Sequence, residues 1–277
     1  MSGEVSFGFS PCPNDTFAFH ALVHGLVEAP GPVRPFLADV EELNQRALRG
    51  EFQLSKLSFP ALFQVAGRYV LLRAGAALGR GVGPLLVARR DWRGEVDQAV
   101  VAVPGLLTTA FLLLCLYLGR RPRVEVMEFS QVMEAVAAGR VEAGLLIHEG
   151  RFTYQRRGLR QLADLGQWWE QDSGLPIPLG CIAARRDMGR EAALAWQQAL
   201  AASVAHAQTH PRDSQQYVLA HAQEMEPEVV EQHIGLYVND FSRDLGEEGL
   251  AAVDELHRRA VEVGVCPPAP AEGLALA

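Results

Sequence analysis

Apolar residues alternate with polar or small ones over 5–9 and then recur at helical spacing from Phe17, which predicts a strand followed by a helix over 16–24. The alternation continues, with strands over 33–38, 53–58, 69–73 and 83–88 around helices over 40–49 and 61–66. After a charged stretch at 89–97 a second series begins: strands over 99–103, 124–128 and 143–147 enclose helices over 109–118 and 131–138. A further strand over 180–184 precedes helices over 191–210, 227–239 and 247–263, and the proline-rich segment from Gly264 reads as a tail. Strands that alternate with helices build parallel sheets with helical crossovers, so the chain is α/β.

The two series repeat one unit. A helix capped by Asp39 stops at Gly50 and leads into the strand ending Lys56-Leu57-Ser58; a helix capped by Ser130 stops at Gly139 and leads into the strand ending Ile147-His148. Two such lobes in succession set the carboxyl ends of their strands on opposite walls of one cleft, where open α/β sheets hold ligands. The expected division is a larger lobe of residues 1–92 and 187–277 and a smaller one of residues 93–186, with the chain crossing near 88–92 and 183–187.

Composition narrows the partners. With 49% hydrophobic residues in 277, the chain can bury a large core, and 25 Lys+Arg against 33 Asp+Glu give a formal charge of −8 without a basic run. That balance disfavours nucleic acid. The apolar stretch 110–118 is too short to span a bilayer, and the amino terminus shows no secretory pattern, so a cytoplasmic protein without a membrane partner is expected. Cys12, Cys115, Cys181 and Cys266 are far apart, which suggests neither a disulfide framework nor a zinc site.

Several residues could do chemistry. The turn Ser10-Pro-Cys-Pro-Asn-Asp-Thr16 joins strand to helix; its Asn14 and Asp15 serve either as ligand contacts or as helix caps. At Pro104-Gly-Leu-Leu-Thr-Thr-Ala110, Thr108 and Thr109 put hydroxyls beside unpaired helix amides, a cradle for an anion or an ordinary cap. Lys56 brings positive charge to the end of an apolar strand. His148, at the carboxyl end of the 143–147 strand, is the best-placed general base, since an ordinary imidazole titrates near about 6.5, and Glu149 could orient it. His20 with His24, and His206 with His210, have helical spacing but lack further metal ligands and read as exposed faces. Gly79-Arg-Gly-Val-Gly83 reads as a turn near the crossing, and Trp168, Trp169, Tyr154 and Phe152 either wall an aromatic pocket or pack in the core.

Five stretches together resemble the 1,4-dihydroxy-6-naphthoate synthase family of the futalosine route to menaquinone: Gly8-Phe-Ser-Pro-Cys-Pro-Asn-Asp-Thr-Phe17, Ser55-Lys56-Leu57-Ser58, Gly79-Arg-Gly-Val-Gly-Pro84, Val103-Pro-Gly-Leu-Leu-Thr-Thr-Ala110 and Ile147-His-Glu-Gly-Arg-Phe-Thr-Tyr154. The likeness extends to about residue 248. It implies a two-lobed fold like the type II periplasmic-binding proteins, with a substrate cleft between the lobes. It further implies a lyase that converts cyclic dehypoxanthinyl futalosine to 1,4-dihydroxy-6-naphthoate with release of dihydroxyacetone, and no cofactor or metal. Carried onto this sequence, the family's base falls on His148, and its substrate contacts fall on Lys56, Leu57 and Ser58 and on Thr109 and Ala110; Asn14, Asp15 and Thr108 are further candidates. Ser55 stands where the family usually has threonine, and Leu106-Leu107 replaces a more polar pair. The expected partner is a small anionic molecule, and a homodimer is left open. The rival from another class is a non-catalytic solute-binding protein for a small carboxylate; the rival enzyme, the chorismate-dehydrating member of the same pathway, lacks the Ser-Pro-Cys-Pro-Asn-Asp-Thr turn.

Overall fold

The computed structural model describes residues 3–148, 150–222 and 226–276. The first lobe opens with β1 (Val5–Phe9), α1 (Pro13–Val23), β2 (Val33–Leu37), α2 (Val40–Leu48), β3 (Leu54–Ser58), α3 (Phe59–Val65), β4 (Tyr69–Leu71) and β5 (Ala77–Gly79). The second lobe holds β6 (Leu85–Arg89), β7 (Val100–Val103), α4 (Thr109–Leu118), β8 (Arg123–Val126), α5 (Phe129–Ala137), β9 (Ala143–Leu146), α6 (Gly150–Thr153), β10 (Leu159–Asp164) and α7 (Leu165–Ser173). The chain returns with β11 (Ile177–Arg185), then α8 (Arg190–Thr209), α9 (Gln215–His221), α10 (Pro227–Tyr237), α11 (Asp240–Arg243) and α12 (Gly246–Glu262).

The first sheet runs β2-β1-β3-β11-β4, with β5 also on β11; β1 is parallel to β2 and β3, and β11 is antiparallel to β3, β4 and β5. The second runs β10-β6-β9-β7-β8, parallel at β7 and antiparallel around β6. Parallel cores covered by helices suit strands buried on both faces, and β1, β3 and β9 are buried along their whole length. α4, almost wholly apolar in sequence, is buried through its first seven residues and stops at left-handed Gly119.

Sheet membership moves the expected division. Leu85 to Ala88 of β6 pair with Leu146 to Ala143 of β9, so β6 belongs to the second lobe rather than the first, and β11 belongs to the first although the 93–186 division gave it to the second. The crossings are therefore residues 80–84 and 174–176 instead of 88–92 and 183–187. Side chains are excluded there: a Cβ on Gly83 would lie 2.7 Å from Gly166 Cα, and one on Gly166 would lie 1.9 Å from the Val82 carbonyl oxygen. Arg80 Nη2 donates to Gly174 O at 3.0 Å, tying one crossing to the other.

Other expectations also shift. α1 starts at Pro13, because proline is tolerated in the first helical turn, so Asn14 and Asp15 lie inside the helix and are not its caps. β10 is missing from the sequence reading because a register shift between Gln161 and Ala163 breaks its alternation. Trp169 and Tyr154 are core residues; the indole of Trp169 donates to Pro176 O at 3.0 Å. His20 is buried against His24 and Tyr217 rather than exposed. The segment after Gly264 is no free tail, since Leu71 N donates to Leu274 O and Leu276 N to Leu71 O, adding a short parallel bridge at β4.

Candidate functional site

A cavity of about 90 Å³ lies where the lobes meet. It gathers Asn14, Asp15, Lys56 and Ser58 from the first lobe with Thr108, Thr109, Ala110 and His148 from the second. Of the sequence-derived candidates only Leu57 is elsewhere: strand alternation turns its side chain into the core, where it is fully buried.

The first wall is built at the β1–α1 turn. Asp15 accepts at Oδ1 from Lys56 Nζ (2.6 Å) and Asn14 Nδ2 (2.8 Å), and at Oδ2 from Ser10 Oγ (2.8 Å) and Ser10 N (3.2 Å). The Lys56 and Asp15 side chains are only 7% and 2% exposed, so this is a buried ion pair, sustainable because further hydrogen bonds surround it. Lys56 reaches it across Gly180, where a Cβ would come within 3.0 Å of Lys56 Cε. Behind it, burial pushes the Cys181 thiol up to about 12, which removes it as a nucleophile. Asn14 Oδ1 in turn faces His233 Nε2 at 2.8 Å. Ser58 N donates to Asn44 Oδ1, and Asn44 Nδ2 donates to Ser58 Oγ, fixing that hydroxyl.

The second wall is the start of α4. Thr108 caps it, accepting from Phe111 N at 3.2 Å and donating to Gly105 O at 2.8 Å. An α-helix cannot pair its first N–H groups internally, and here those include the amides of Thr109 and Ala110, two residues of the cavity lining. The Thr109 hydroxyl is not the free donor that the sequence suggested: it donates to Leu179 O at 2.7 Å and so joins α4 to β11 of the other lobe. A second tie between lobes is Glu41, whose carboxylate accepts from Leu107 N, Asn44 and Gln45 and whose carboxyl is raised by burial. Gly105 passes so close to it that a Cβ would lie 2.4 Å from Oε2.

His148 stands beyond the end of β9 with φ 53°, the one left-handed non-glycine among the described residues. Such a backbone costs roughly 1–3 kcal/mol and persists where the surroundings impose it. Here the ring meets Phe129 edge-on (4.9 Å), stacks on His233 (6.0 Å), and places Nδ1 3.5 Å from Cys12 Sγ. Glu149, its expected orienting partner, lies outside the described residues. An alternative acid comes from across the cleft: the Asp39 carboxyl is raised by burial, and the nearby His148 charge is among the influences that counter it. Sequence reasoning missed Ser10, Asp39 and His233. Ser10 and Asp39 were visible as a turn and a cap residue, whereas His233 comes from 219 residues beyond Asn14 with no local signal. Among the described residues no group of His, Cys, Asp and Glu is arranged to hold a metal ion, and no helix is long and apolar enough to cross a membrane.

A family model described as "Menaquinone biosynthesis" matches residues 5–262. The protein named 1,4-dihydroxy-6-naphtoate synthase in Thermus thermophilus is 54% identical over 266 residues, 96% of this chain and 97% of the relative. That of Streptomyces coelicolor is 46% identical over 284 residues, 99% of each. Among solved structures, protein AF1704 of Archaeoglobus fulgidus superposes with a TM-score of 0.89 at 33% identity, covering 95% of this chain and 98% of that one. The Candida albicans CA3427 gene product, described as having the generic periplasmic binding protein fold, gives 0.69 at 10% identity over 95% and 92% of the two chains. That likeness bears on the fold alone, and the two-lobed architecture expected from the sequence is the one found. Matched by the family model over nearly all its length and by relatives end to end, this chain belongs to the menaquinone biosynthesis family.

Proposed function

We propose that this protein is a 1,4-dihydroxy-6-naphthoate synthase, a carbon-carbon lyase acting in the cytoplasm on cyclic dehypoxanthinyl futalosine and releasing dihydroxyacetone. Both curated relatives carry that name. The single observation that carries the reading is the gathering, around one cavity, of His148 and the amino end of α4 from one lobe with Lys56 from the other. The substrate's carboxylate docks on the amides of Thr109 and Ala110, with Ser58 on the facing wall. Lys56, fixed by Asp15, donates to the oxygen-rich remainder of the substrate. His148 takes the proton whose loss allows the carbon-carbon bond to break and the new ring to become aromatic.

His148→Asn tests this directly. Asparagine tolerates the left-handed backbone and keeps a polar side chain, but it cannot accept the proton at neutral pH. Formation of the naphthoate product, followed by mass spectrometry, falls by about 10²- to 10⁴-fold while affinity for substrate is retained. Turnover within a few-fold of the parent would make His148 structural.

A further inference from the structure

His233 on α10 is fully buried, yet only one of its ring nitrogens has a partner: Nε2 is 2.8 Å from Asn14 Oδ1, and Nδ1 is buried without one. An unpaired buried nitrogen is destabilising, and a phenylalanine would fill the space between His148 and Tyr237, whose ring centroids lie 6.0 and 4.6 Å away, without leaving one. What a phenylalanine lacks is a proton to donate to Asn14. The ring is neutral, because burial holds its pKa well below the ordinary value, and the neighbouring His148 and Lys56 charges add to that. Asn14 Nδ2 already donates to Asp15 Oδ1, so the amide presents its oxygen to His233, and the single ring proton belongs on Nε2.

We propose that His233 is a positioning residue for the lyase reaction: by donating to Asn14 it fixes which way that amide points, completes the donor shell of Asp15 and so holds the Lys56 ammonium opposite His148. The role rests on the function proposed above. Without a donor at 233, Asn14 Oδ1 becomes a buried acceptor with nothing to accept, and the amide turns away from Asp15. Asp15 then loses one of its four donors, and the Lys56 ammonium loses its fixed place.

Two substitutions separate positioning from packing. His233→Phe keeps the ring and removes the donor; His233→Gln gives up the ring and restores a side-chain N–H. Positioning requires kcat for naphthoate formation to fall ~10-fold or more in His233→Phe with KM little changed, and to recover largely in His233→Gln. The reverse order, equal loss in both, or no loss in His233→Phe overturns the proposal. A second measurement needs neither substrate nor variant. Nitrogen-15 spectra of the free parent protein should show the His233 ring neutral and protonated at Nε2 from about pH 6 to 8, and a ring protonated at Nδ1 or charged in that range also overturns it. Failure of the lyase reading itself would appear separately, as no naphthoate from the parent.

Discussion

Two strand-to-helix junctions face one another across the cavity, and their polar groups are used in opposite ways. At the β1–α1 junction every strong group is tied to another: Lys56 and Asn14 to Asp15, Asp15 to Ser10, and Asn14 to His233. At the β7–α4 junction the side chains are satisfied by backbone, Thr108 by Gly105 O and Thr109 by Leu179 O, while the amides of Thr109 and Ala110, two residues of the cavity lining, have no partner within the helix. One wall is thus a rigid charged scaffold and the other an open donor surface. A strand end rich in polar residues therefore does not by itself mark a ligand contact. What decides is whether donors remain: the Thr109 hydroxyl is spent on Leu179 O, whereas the Lys56 ammonium has three donors and is anchored to Asp15 through one of them.

Breaking the scaffold should have the larger effect. Asp15→Asn leaves the Lys56 ammonium buried without its counter-charge, and stability in urea or thermal unfolding falls by about 3–5 kcal/mol. A loss no larger than that of a helix cap would erase the contrast between the walls. A smaller effect comes from pH. His233 has a folded pKa below its unfolded one, so the native state holds fewer protons; its contribution is full above about 6.5 and is lost as pH falls. Between pH 6.5 and 5 the parent should lose more stability than His233→Gln in urea titrations, by at most about 1.7 kcal/mol. Asp39 and Glu41, both raised by burial, contribute with the opposite sign in parent and variant alike, so the difference isolates the imidazole. Smallest is Thr108→Ala on the open wall, which removes one cap and costs about 1 kcal/mol in the same unfolding measurement. An effect there as large as that of Asp15→Asn would mean that α4 is as tightly held as α1.

What the sequence made legible follows the same division. Helix α4 was read with its bounds intact, because Thr108 and Gly119 punctuate an apolar run whose signals are all local. The start of α1 was misread, since Pro13-Asn14-Asp15 looks like a turn until one sees those side chains engaged by Lys56 and His233 from distant segments. Lys56, Ser58, Thr109 and His148 could be brought together from the repeat and the family likeness, whereas the turning of Leu57 into the core followed only from the strand's register. The crossings were each placed one strand late, because β6 reads equally well as the last strand of one lobe or the first of the other, and β11 likewise. Pairing decides it: β6 lies between β10 and β9, and β11 beside β3.

The hydrogen bond from Thr109 to Leu179 and the contact of Glu41 with Leu107 span the gap between lobes on either side of a cavity of about 90 Å³. On the function proposed above, both must part before a molecule the size of the naphthoate product can leave. On that reading association is gated: its rate would be set by how often the walls separate and would lie below that of diffusional encounter.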